Sequence, residues 1–103
     1  MDRAEITPTQ TRDKLVARAA ALVPVLRARA DQTERDRRIP DETIEDIRAA
    51  GLWRILQPPR HGGIVTDFGV MVDVVAEFAR GCASTSWVYM NIIAHNWMLP
   101  MWP

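Results

Sequence analysis

One helix-forming stretch, Ser84-Thr-Ser-Trp-Val-Tyr-Met-Asn-Ile-Ile-Ala-His-Asn-Trp-Met-Leu99, dominates the second half of the chain. It lies within residues 81–103, which hold no Asp, Glu, Lys or Arg but three of the four tryptophans. The Ser/Thr cluster at its start favours a helix N-cap, and the run behind it is apolar on nearly every side. A helix that is apolar all round is typical of the centre of a large protein. We therefore expect a buried helix, in a chain that forms the front part of a longer polypeptide.

The composition excludes several classes of protein. The 103 residues suit one small domain, and thirteen acidic and thirteen basic side chains give a formal net charge of zero. A neutral chain has no field to attract nucleic acid or an anionic membrane, so neither is an expected partner. The single cysteine, Cys82, excludes an internal disulfide, and the polar N-terminus does not resemble a signal peptide. The apolar stretch is shorter than the roughly 20 residues that span a bilayer. Together these features favour a cytosolic protein.

The first forty residues predict one long helix behind a flexible lead. The lead covers residues 1–10, Thr9 or Thr11 can cap the helix, and Pro24 is expected to bend or interrupt it. The inward stripe recurs every three or four residues: Leu15, Ala19, Leu22, Leu26 and Ala30. The mixed charges of residues 27–38 indicate a solvated face.

A second, short helix is predicted from Asp41 to Ala50, because a proline followed by an aspartate suits a helix start. Ile44 and Ile47 are expected to face inward, and Gly51 is expected to close the C-terminus of this helix. The turn-rich segment 57–63 then separates it from the rest of the chain.

Two more helices complete the predicted fold. The third runs from about Asp67 to Arg80 and buries an apolar stripe: Val70, Met71, Val74, Val75 and Phe78. The fourth starts near Ser84 and ends before Pro100. A short extended piece is possible at Ile64-Val65. The fold class is therefore all-α, with about four helices in one domain over residues 1–103.

The short polar motifs have structural explanations. Gly62-Gly63 favours a turn with positive φ over a phosphate-binding loop, which would need more glycines and a preceding strand. His61 beside it is interpreted as a surface loop residue. Two histidines thirty-four residues apart and one cysteine have no zinc-ligand spacing, so no metal site is expected. Cys82 lacks a neighbouring base and fits a small packing residue better than a nucleophile.

His95 is the main candidate for chemistry. It lies eight residues after Trp87, just over two helical turns, so both side chains project from broadly the same side of the fourth helix. A core histidine bonded to a neighbouring helix is one interpretation. An imidazole near an indole is also a suitable wall for a flat aromatic ligand, with the histidine as its polar contact. The spacing alone leaves both interpretations open.

An ordered set of short motifs runs along these elements. They are Arg38-Ile39-Pro40, Ala50-Gly51-Leu52, Leu56-Gln57-Pro58, Gly62-Gly63, Val74-Val75-Ala76-Glu77-Phe78-Ala79-Arg80, Cys82-Ala83-Ser84-Thr85-Ser86-Trp87 and His95-Asn96-Trp97. From about Leu15 onward, this order resembles the N-terminal helical domain of flavin-dependent monooxygenases with the acyl-CoA dehydrogenase fold. Within that group it looks most like the oxygenase components of two-component phenol hydroxylases.

The resemblance implies a fold in which the helical domain is followed by a β-barrel and a four-helix bundle, assembled as a homotetramer. This chain would end before the barrel. The resemblance also implies that a separate flavin reductase supplies reduced flavin, FMN or FAD, which reacts with molecular oxygen so that one oxygen atom is transferred to a phenolic substrate. Since most flavin-binding groups of the family lie in the later domains, we expect neither tightly bound flavin nor activity in this segment alone.

The resemblance assigns roles to four residues of the fourth helix. Trp87 and His95 match the tryptophan and histidine that border the flavin and the phenol in the family. His95 is then the candidate catalytic residue, which hydrogen-bonds the phenol or assists its deprotonation. Asn96 and Trp97 are expected to belong to the same pocket, behind the residues that touch the ligands.

Two other interpretations remain open from the sequence. One is an acyl-CoA dehydrogenase proper, whose flavin would oxidise an acyl thioester; the Ser-Thr-Ser-Trp and His-Asn-Trp motifs favour the monooxygenase branch instead. The other is a stand-alone helical interaction module that buries its fourth helix against a partner protein.

Overall fold

The computed structural model of the chain describes residues 8–64 and 66–102. Its α-helices are α1 (Pro8–Asp36), α2 (Asp41–Ala49), α3 (Phe68–Gly81) and α4 (Ala83–Met98). Short 3₁₀ turns cover Leu52–Arg54, Pro59–His61 and Leu99–Met101. Within the described residues, extended pairing is limited to one isolated bridge between Ile55 and Ile64. The all-α prediction with four helices is confirmed.

Two predictions fall at the edges of what the structure describes. The flexible lead over residues 1–10 lies outside the described residues except for its last three positions, which belong to α1. Of the extended piece predicted at positions 64 and 65, the first residue forms the bridge and the second lies outside the described residues.

The core lies where α1, α3 and α4 pack against one another, and α1 packs most extensively on α3. α1 and α3 each contribute the apolar stripe that their periodicity predicts. The buried members of the two predicted stripes are Leu15, Ala19, Leu26, Val70, Met71, Val74 and Phe78. Leu22, Ala30 and Val75 are partly buried against them. Full burial of one such large aliphatic or aromatic side chain contributes roughly 1.5–3 kcal/mol, so these stripes account for much of the folding free energy.

α1 is one continuous helix, without the interruption that Pro24 suggests. Thr9 and Thr11 lie inside the helix rather than at a cap, and the helix continues through Pro24 without interruption. Because Pro24 is exposed, water can hydrate the carbonyl that loses its usual amide donor. The solvated face predicted for residues 27–38 is confirmed only in part, since Thr33 is buried and Arg29 is partly buried against α2.

α2 buries a different face from the one predicted. Thr43 and Ile47 are buried, whereas Ile44 is 41% exposed, so the inward assignment of Ile44 is wrong. Arg29 on α1 explains the rotation: its Nη1 donates to Thr43 Oγ1 at 3.1 Å and to Asp46 Oδ2 at 2.8 Å. A hydrogen-bonded threonine therefore takes the buried position that an apolar residue was expected to take.

α3 and α4 are joined at Cys82, where α3 lies closest to α1. A Cβ atom on Gly81 would lie 2.7 Å from Val23 O and 2.8 Å from Leu26 Cβ, so only glycine allows this approach. Cys82 is 4% exposed, and the prediction that it is a packing residue is confirmed.

The Ser/Thr cluster does not cap α4, which corrects the sequence prediction. The N-cap position is Cys82, and it makes no side-chain capping bond. Ser84 Oγ instead donates to Glu34 Oε1 on α1, and Thr85 is buried. The helix ends before Pro100, as predicted. Across residues 8–64 and 66–102, no helix combines the length and the apolar character needed to cross a membrane.

The loop between α2 and α3 depends on its glycines. Gly51 and Gly62 have φ values of 76° and 79°, in the left-handed region that favours glycine. A Cβ atom on Gly63 would lie 1.9 Å from Gln57 O, so this position also requires glycine. The turn predicted for the paired glycines is confirmed, and His61 is exposed as expected.

Candidate functional site

α4 presents one open face to solvent. Its buried side consists of Thr85, Ser86, Tyr89 and Ile93. With about 100° of rotation per residue, positions 87, 88, 91, 92 and 95 fall on the opposite side. Trp87 is 64% exposed and Ile92 is 44% exposed there. The expectation of a helix that is apolar all round is confirmed in composition, but within this chain the helix is covered on one side only.

His95 lies on this open face and is exposed. Its Nδ1 atom is 2.6 Å from the carbonyl oxygen of Asn91, one turn earlier in the same helix. The alternative of a core histidine bonded to a neighbouring helix is therefore wrong. Because a carbonyl oxygen can only accept, Nδ1 carries the proton in this contact. In the neutral ring, Nε2 then has the free lone pair and can accept a proton or a hydrogen bond.

Asn91 connects the two residues that the sequence predicts to act together. Its Nδ2 donates to Trp87 O at 2.9 Å, and its own carbonyl accepts from His95. Trp87 and His95 are about 80° apart around the helix axis, with both side chains exposed. The structure thus places the predicted indole and imidazole on the same open face.

Asn96 and Trp97 point away from that face. Asn96 Nδ2 donates to the carbonyl oxygen of Trp53 at 3.0 Å, so its amide is bonded to the loop after α2. The Trp97 ring packs edge-on against Phe68, with the ring centroids 5.1 Å apart. The four predicted site residues therefore do not converge: Trp87 and His95 share one surface, while Asn96 and Trp97 contact other parts of the domain.

The sequence analysis missed an apolar groove beside the open face. The groove has a volume of about 380 Å³ and runs between α2, the loop after it and α4. Its lining residues are Ile39, Ile44, Trp53, Gln57, Val88, Ile92 and Asn96. The exposed position of Ile44 is explained by this groove, since the side chain forms part of one wall. Trp53 could have attracted attention as a tryptophan in a short turn, but no local pattern links it to α4.

Tyr89 holds the loop beneath this groove. Its hydroxyl donates to Leu52 O at 2.7 Å, and its ring lies between Trp53 and Phe78, at centroid distances of 5.3 and 4.9 Å. Burial raises the pKa of the Tyr89 phenol well above its ordinary value of 10.0. Tyr89 therefore stays a neutral hydrogen-bond donor and acts as a structural support rather than as an acid or base.

The sequence of the chain matches a known protein family. Residues 9–102 match the profile described as acyl-CoA dehydrogenase, N-terminal domain. No solved structure matches the chain significantly.

Several curated relatives are named as oxygenase components. The chain is 42% identical to the flavin-dependent monooxygenase oxygenase subunit HsaA of Rhodococcus jostii (strain RHA1), over 82% of this chain and 22% of that protein. It is 38% identical to the FADH(2)-dependent resorcinol hydroxylase oxygenase component of Rhizobium sp. (strain MTP-10005), over 93% of this chain and 24% of the relative. It is 26% identical to the p-hydroxyphenylacetate 3-hydroxylase oxygenase component of Acinetobacter baumannii, over 92% of this chain and 22% of that protein.

The match covers almost the whole of this chain but only about a quarter of these relatives. The resemblance inferred from the ordered motifs is confirmed by both comparisons. The chain belongs to the acyl-CoA dehydrogenase N-terminal domain family.

Proposed function

We propose that this chain is the N-terminal helical domain of a flavin-dependent monooxygenase that hydroxylates a phenolic substrate. The observation that carries the proposal is the similarity of nearly the entire chain to oxygenase components named for aromatic hydroxylation. Those names favour hydroxylation over the oxidation of an acyl thioester by an acyl-CoA dehydrogenase. The stand-alone interaction module has less support, since the open surface of α4 also fits the proposed site.

The open face of α4 fits one wall of a site for two flat rings. Trp87 offers an exposed indole surface, and His95 offers a polar atom on the same face. When bound, reduced flavin would supply the electrons that activate molecular oxygen, of which one atom enters the phenol ring and the other leaves as water. The role of this chain is to cover one side of the rings, since an apolar wall such as Trp87 and Ile92 keeps water from the reacting centre.

We assign His95 the catalytic role in this wall. The bond from Nδ1 to the Asn91 carbonyl fixes the ring orientation and leaves Nε2 as an acceptor on the open side. When the hydroxyl of a phenol donates to Nε2, its proton moves towards nitrogen and the aromatic ring becomes more electron-rich. Such a ring is a better nucleophile at the carbon that receives oxygen.

The remaining partners follow from the same proposal. The term oxygenase component in the relatives' names supports a separate reductase as the source of reduced flavin. The name FADH(2)-dependent of the Rhizobium relative supports reduced FAD rather than FMN. A cytosolic location suits an enzyme that receives reduced flavin from a reductase, and the homotetramer is the assembly that we expect for the complete enzyme.

The first prediction tests His95 in a chimera that joins this chain to the later domains of a homologous oxygenase. His95→Ala should lower the yield of hydroxylated product per reduced flavin, with the lost turnover appearing as hydrogen peroxide. If Nε2 accepts the phenol proton, the oxygen-transfer step should slow by at least about 100-fold. His95→Gln, which can bond to the phenol but cannot take its proton, should remain as slow if proton transfer is the role.

The matched control is His61→Ala, because His61 is the other histidine and is exposed on a loop that faces the Asn96 side of α4 rather than its open face. It should leave both the product yield and the melting temperature unchanged. A His95→Ala chimera with normal coupling and a lower melting temperature would contradict the catalytic assignment. A chimera that binds reduced flavin but never hydroxylates a phenol would contradict the proposed function itself.

The second prediction concerns the chain without its later domains. One helical wall cannot enclose an isoalloxazine ring, and no positively charged side chain lies on the open face of α4 to hold a phosphate. We therefore expect no tight binding of FMN or FAD, measured by fluorescence titration. A dissociation constant near 1 μM, equivalent to about −8 kcal/mol, would show that the main flavin-binding groups lie in this domain.

A further inference from the structure

The groove beside α4 has one wall that is unusually well fixed. The Trp53 indole Nε1 donates to Ile44 O on α2 at 3.0 Å. The Trp53 carbonyl accepts from Asn96 Nδ2 on α4 at 3.0 Å, and the Trp53 ring packs against Tyr89. Both ends of this residue are thus held by different helices. A ligand that packs on the indole would freeze little further motion, which favours binding.

The lining of the groove separates apolar from polar contacts. Ile44 from α2 and Val88 and Ile92 from α4 line the groove together with the indole. The polar side chains are the two amides of Gln57 and Asn96, which are neutral and can exchange hydrogen bonds with a substituent. A volume of about 380 Å³ lies in the range of roughly 300–1,000 Å³ that is typical of small-molecule sites. Apolar walls with a neutral polar contact suit an aromatic ring that carries one hydrogen-bonding group.

The groove adjoins the face that carries His95. Ile92 lies three residues before His95, and residues at this spacing are neighbours on a helix surface. Val88 lies seven residues before His95, about 20° from it around the helix axis, so the groove and the Trp87–His95 wall share an edge along α4. A molecule bound in the groove can therefore extend to the imidazole.

We propose that this groove is a ring-binding subsite, that Trp53 is its fixed aromatic wall, and that Asn96 is a positioning residue that acts through Trp53. The proposal rests on the proposed function for the identity of the ring, a phenol. It replaces the earlier expectation that Asn96 lines the flavin and phenol pocket behind His95. The amide donor of Asn96 is already bonded to the Trp53 carbonyl, so its main task is to hold that wall.

The test follows the four indoles of the chain separately, using ¹⁹F NMR of protein labelled with 5-fluorotryptophan, at concentrations where sedimentation shows the chain and its variants to be monomeric. Trp53→Phe removes one resonance and so assigns it. The probe is 4-ethylphenol, with ethylbenzene as the matched ligand that lacks the hydroxyl. We expect a saturable shift of the Trp53 resonance, with a dissociation constant on the order of 1 mM for so small a ligand and weaker binding of ethylbenzene. The resonance of Trp102, which does not line the groove, should stay in place.

Two exposed aliphatic residues provide a variant and its control. Ile92→Asp places a charge in the groove wall and should weaken binding of 4-ethylphenol by at least about tenfold. Val72→Asp puts the same charge on α3, where Val72 is 52% exposed and does not line the groove, and should leave binding unchanged. If Ile92→Asp fails to fold, Ile44→Asp tests the opposite wall in the same way.

Asn96→Leu tests the positioning role, since it removes the amide donor in a side chain of similar shape without adding a charge to the groove. We expect the Trp53 resonance to move or broaden before any ligand is added and 4-ethylphenol to bind more weakly. If Asn96 were merely structural, the variant would melt at a lower temperature while the folded protein kept the Trp53 resonance and the affinity.

Three results would overturn the proposal: no saturable shift of Trp53, an equal shift in Ile92→Asp, or similar shifts of all four indoles. The readout needs no turnover, so it separates this subsite from the proposed function. If 4-ethylphenol binds at Trp53 but the chimera never hydroxylates phenols, the subsite stands and the proposed function is contradicted. If the chimera hydroxylates phenols but 4-ethylphenol does not bind at Trp53, the proposed function stands and the subsite is contradicted.

Discussion

At the scale of single residues, Tyr89 shows how one buried polar group supports the site from below. Its hydroxyl satisfies the Leu52 carbonyl, and its ring fills the space between Trp53 and Phe78. A buried carbonyl that lost this donor would cost roughly 1–3 kcal/mol. The same burial that makes the hydrogen bond valuable also opposes ionisation of the phenol, because a phenolate would lose its hydration.

The third prediction follows from this raised pKa. The folded chain holds the Tyr89 proton more tightly than the unfolded chain, in which the phenol has its ordinary pKa of 10.0. The stabilisation is therefore fully present below pH 10 and is lost as the pH rises above 10, at up to about 1.4 kcal/mol per pH unit. Since Tyr89 is the sole tyrosine, phenolate absorbance should appear only when circular dichroism reports unfolding.

Tyr89→Phe serves as the control for this titration. The variant should be less stable at neutral pH, because Leu52 O loses its donor, but its stability should no longer fall through the same alkaline range for this reason. Phenolate absorbance that rises near pH 10 in a fully folded chain would contradict the buried, bonded state of Tyr89.

At the scale of helices, the sequence predicts what depends on local spacing and misses what depends on distant partners. The stripe of α3 could be predicted because period and composition alone select its buried face. Ile44 was assigned to the wrong side because Arg29, from another helix, bonds to Thr43 and sets the rotation of α2. The role of Ser84 depends in the same way on Glu34, which lies fifty residues earlier.

The candidate site likewise has features that local spacing predicts and features that depend on distant contacts. Trp87 and His95 belong to one helix, so their spacing was enough to predict a shared face. The groove was not predictable, because the bond between Asn96 and Trp53 joins residues forty-three positions apart. The exposure of His95 also could not be predicted, since the same spacing allows either a covered or an open helix face.

The fourth prediction concerns the contact between α1 and α3. Gly81→Ala would place a methyl group 2.7 Å from Val23 O and 2.8 Å from Leu26 Cβ, so the two helices would have to separate. We expect a loss of about 1–3 kcal/mol, typical of overpacking, and a fall in melting temperature of about 4–8 °C per kcal/mol for a domain of this size. Chemical and thermal denaturation measure both quantities.

Gly69→Ala is the matched control within the same helix. Its added methyl group would lie 3.2 Å from Asp67 Oδ1, which accepts the capping hydrogen bond from Val70 N and would have to move by only a few tenths of an ångström. The higher helix propensity of alanine, worth about 1 kcal/mol, should offset this adjustment. Equal losses for Gly81→Ala and Gly69→Ala would argue against close packing of α1 on α3 as the cause.

At the scale of the whole molecule, the distribution of apolar surface is uneven. α1, α3 and one side of α4 enclose a core, yet the other side of α4 and the turn after it expose several large apolar side chains. They are Trp87, Val88, Ile92, Leu99, Met101 and Trp102. Exposed apolar surface of this extent is typical of an interface. In the proposed enzyme, the later domains and the bound rings would cover it.

The last prediction is that the chain expressed alone associates with itself through this surface. Its formal net charge of zero provides no repulsion between copies, so association should increase with protein concentration in sedimentation velocity experiments. The double variant Ile92→Glu with Leu99→Glu places two charges among exposed apolar side chains and should shift the chain towards monomer. The double variant Ala21→Glu with Ala28→Glu adds the same charge to exposed positions of α1 and should associate more than the α4 variant. Equal dissociation of both variants would assign the effect to net charge, and a wild-type chain that stays monomeric at every concentration would show that the open face of α4 is stable in water.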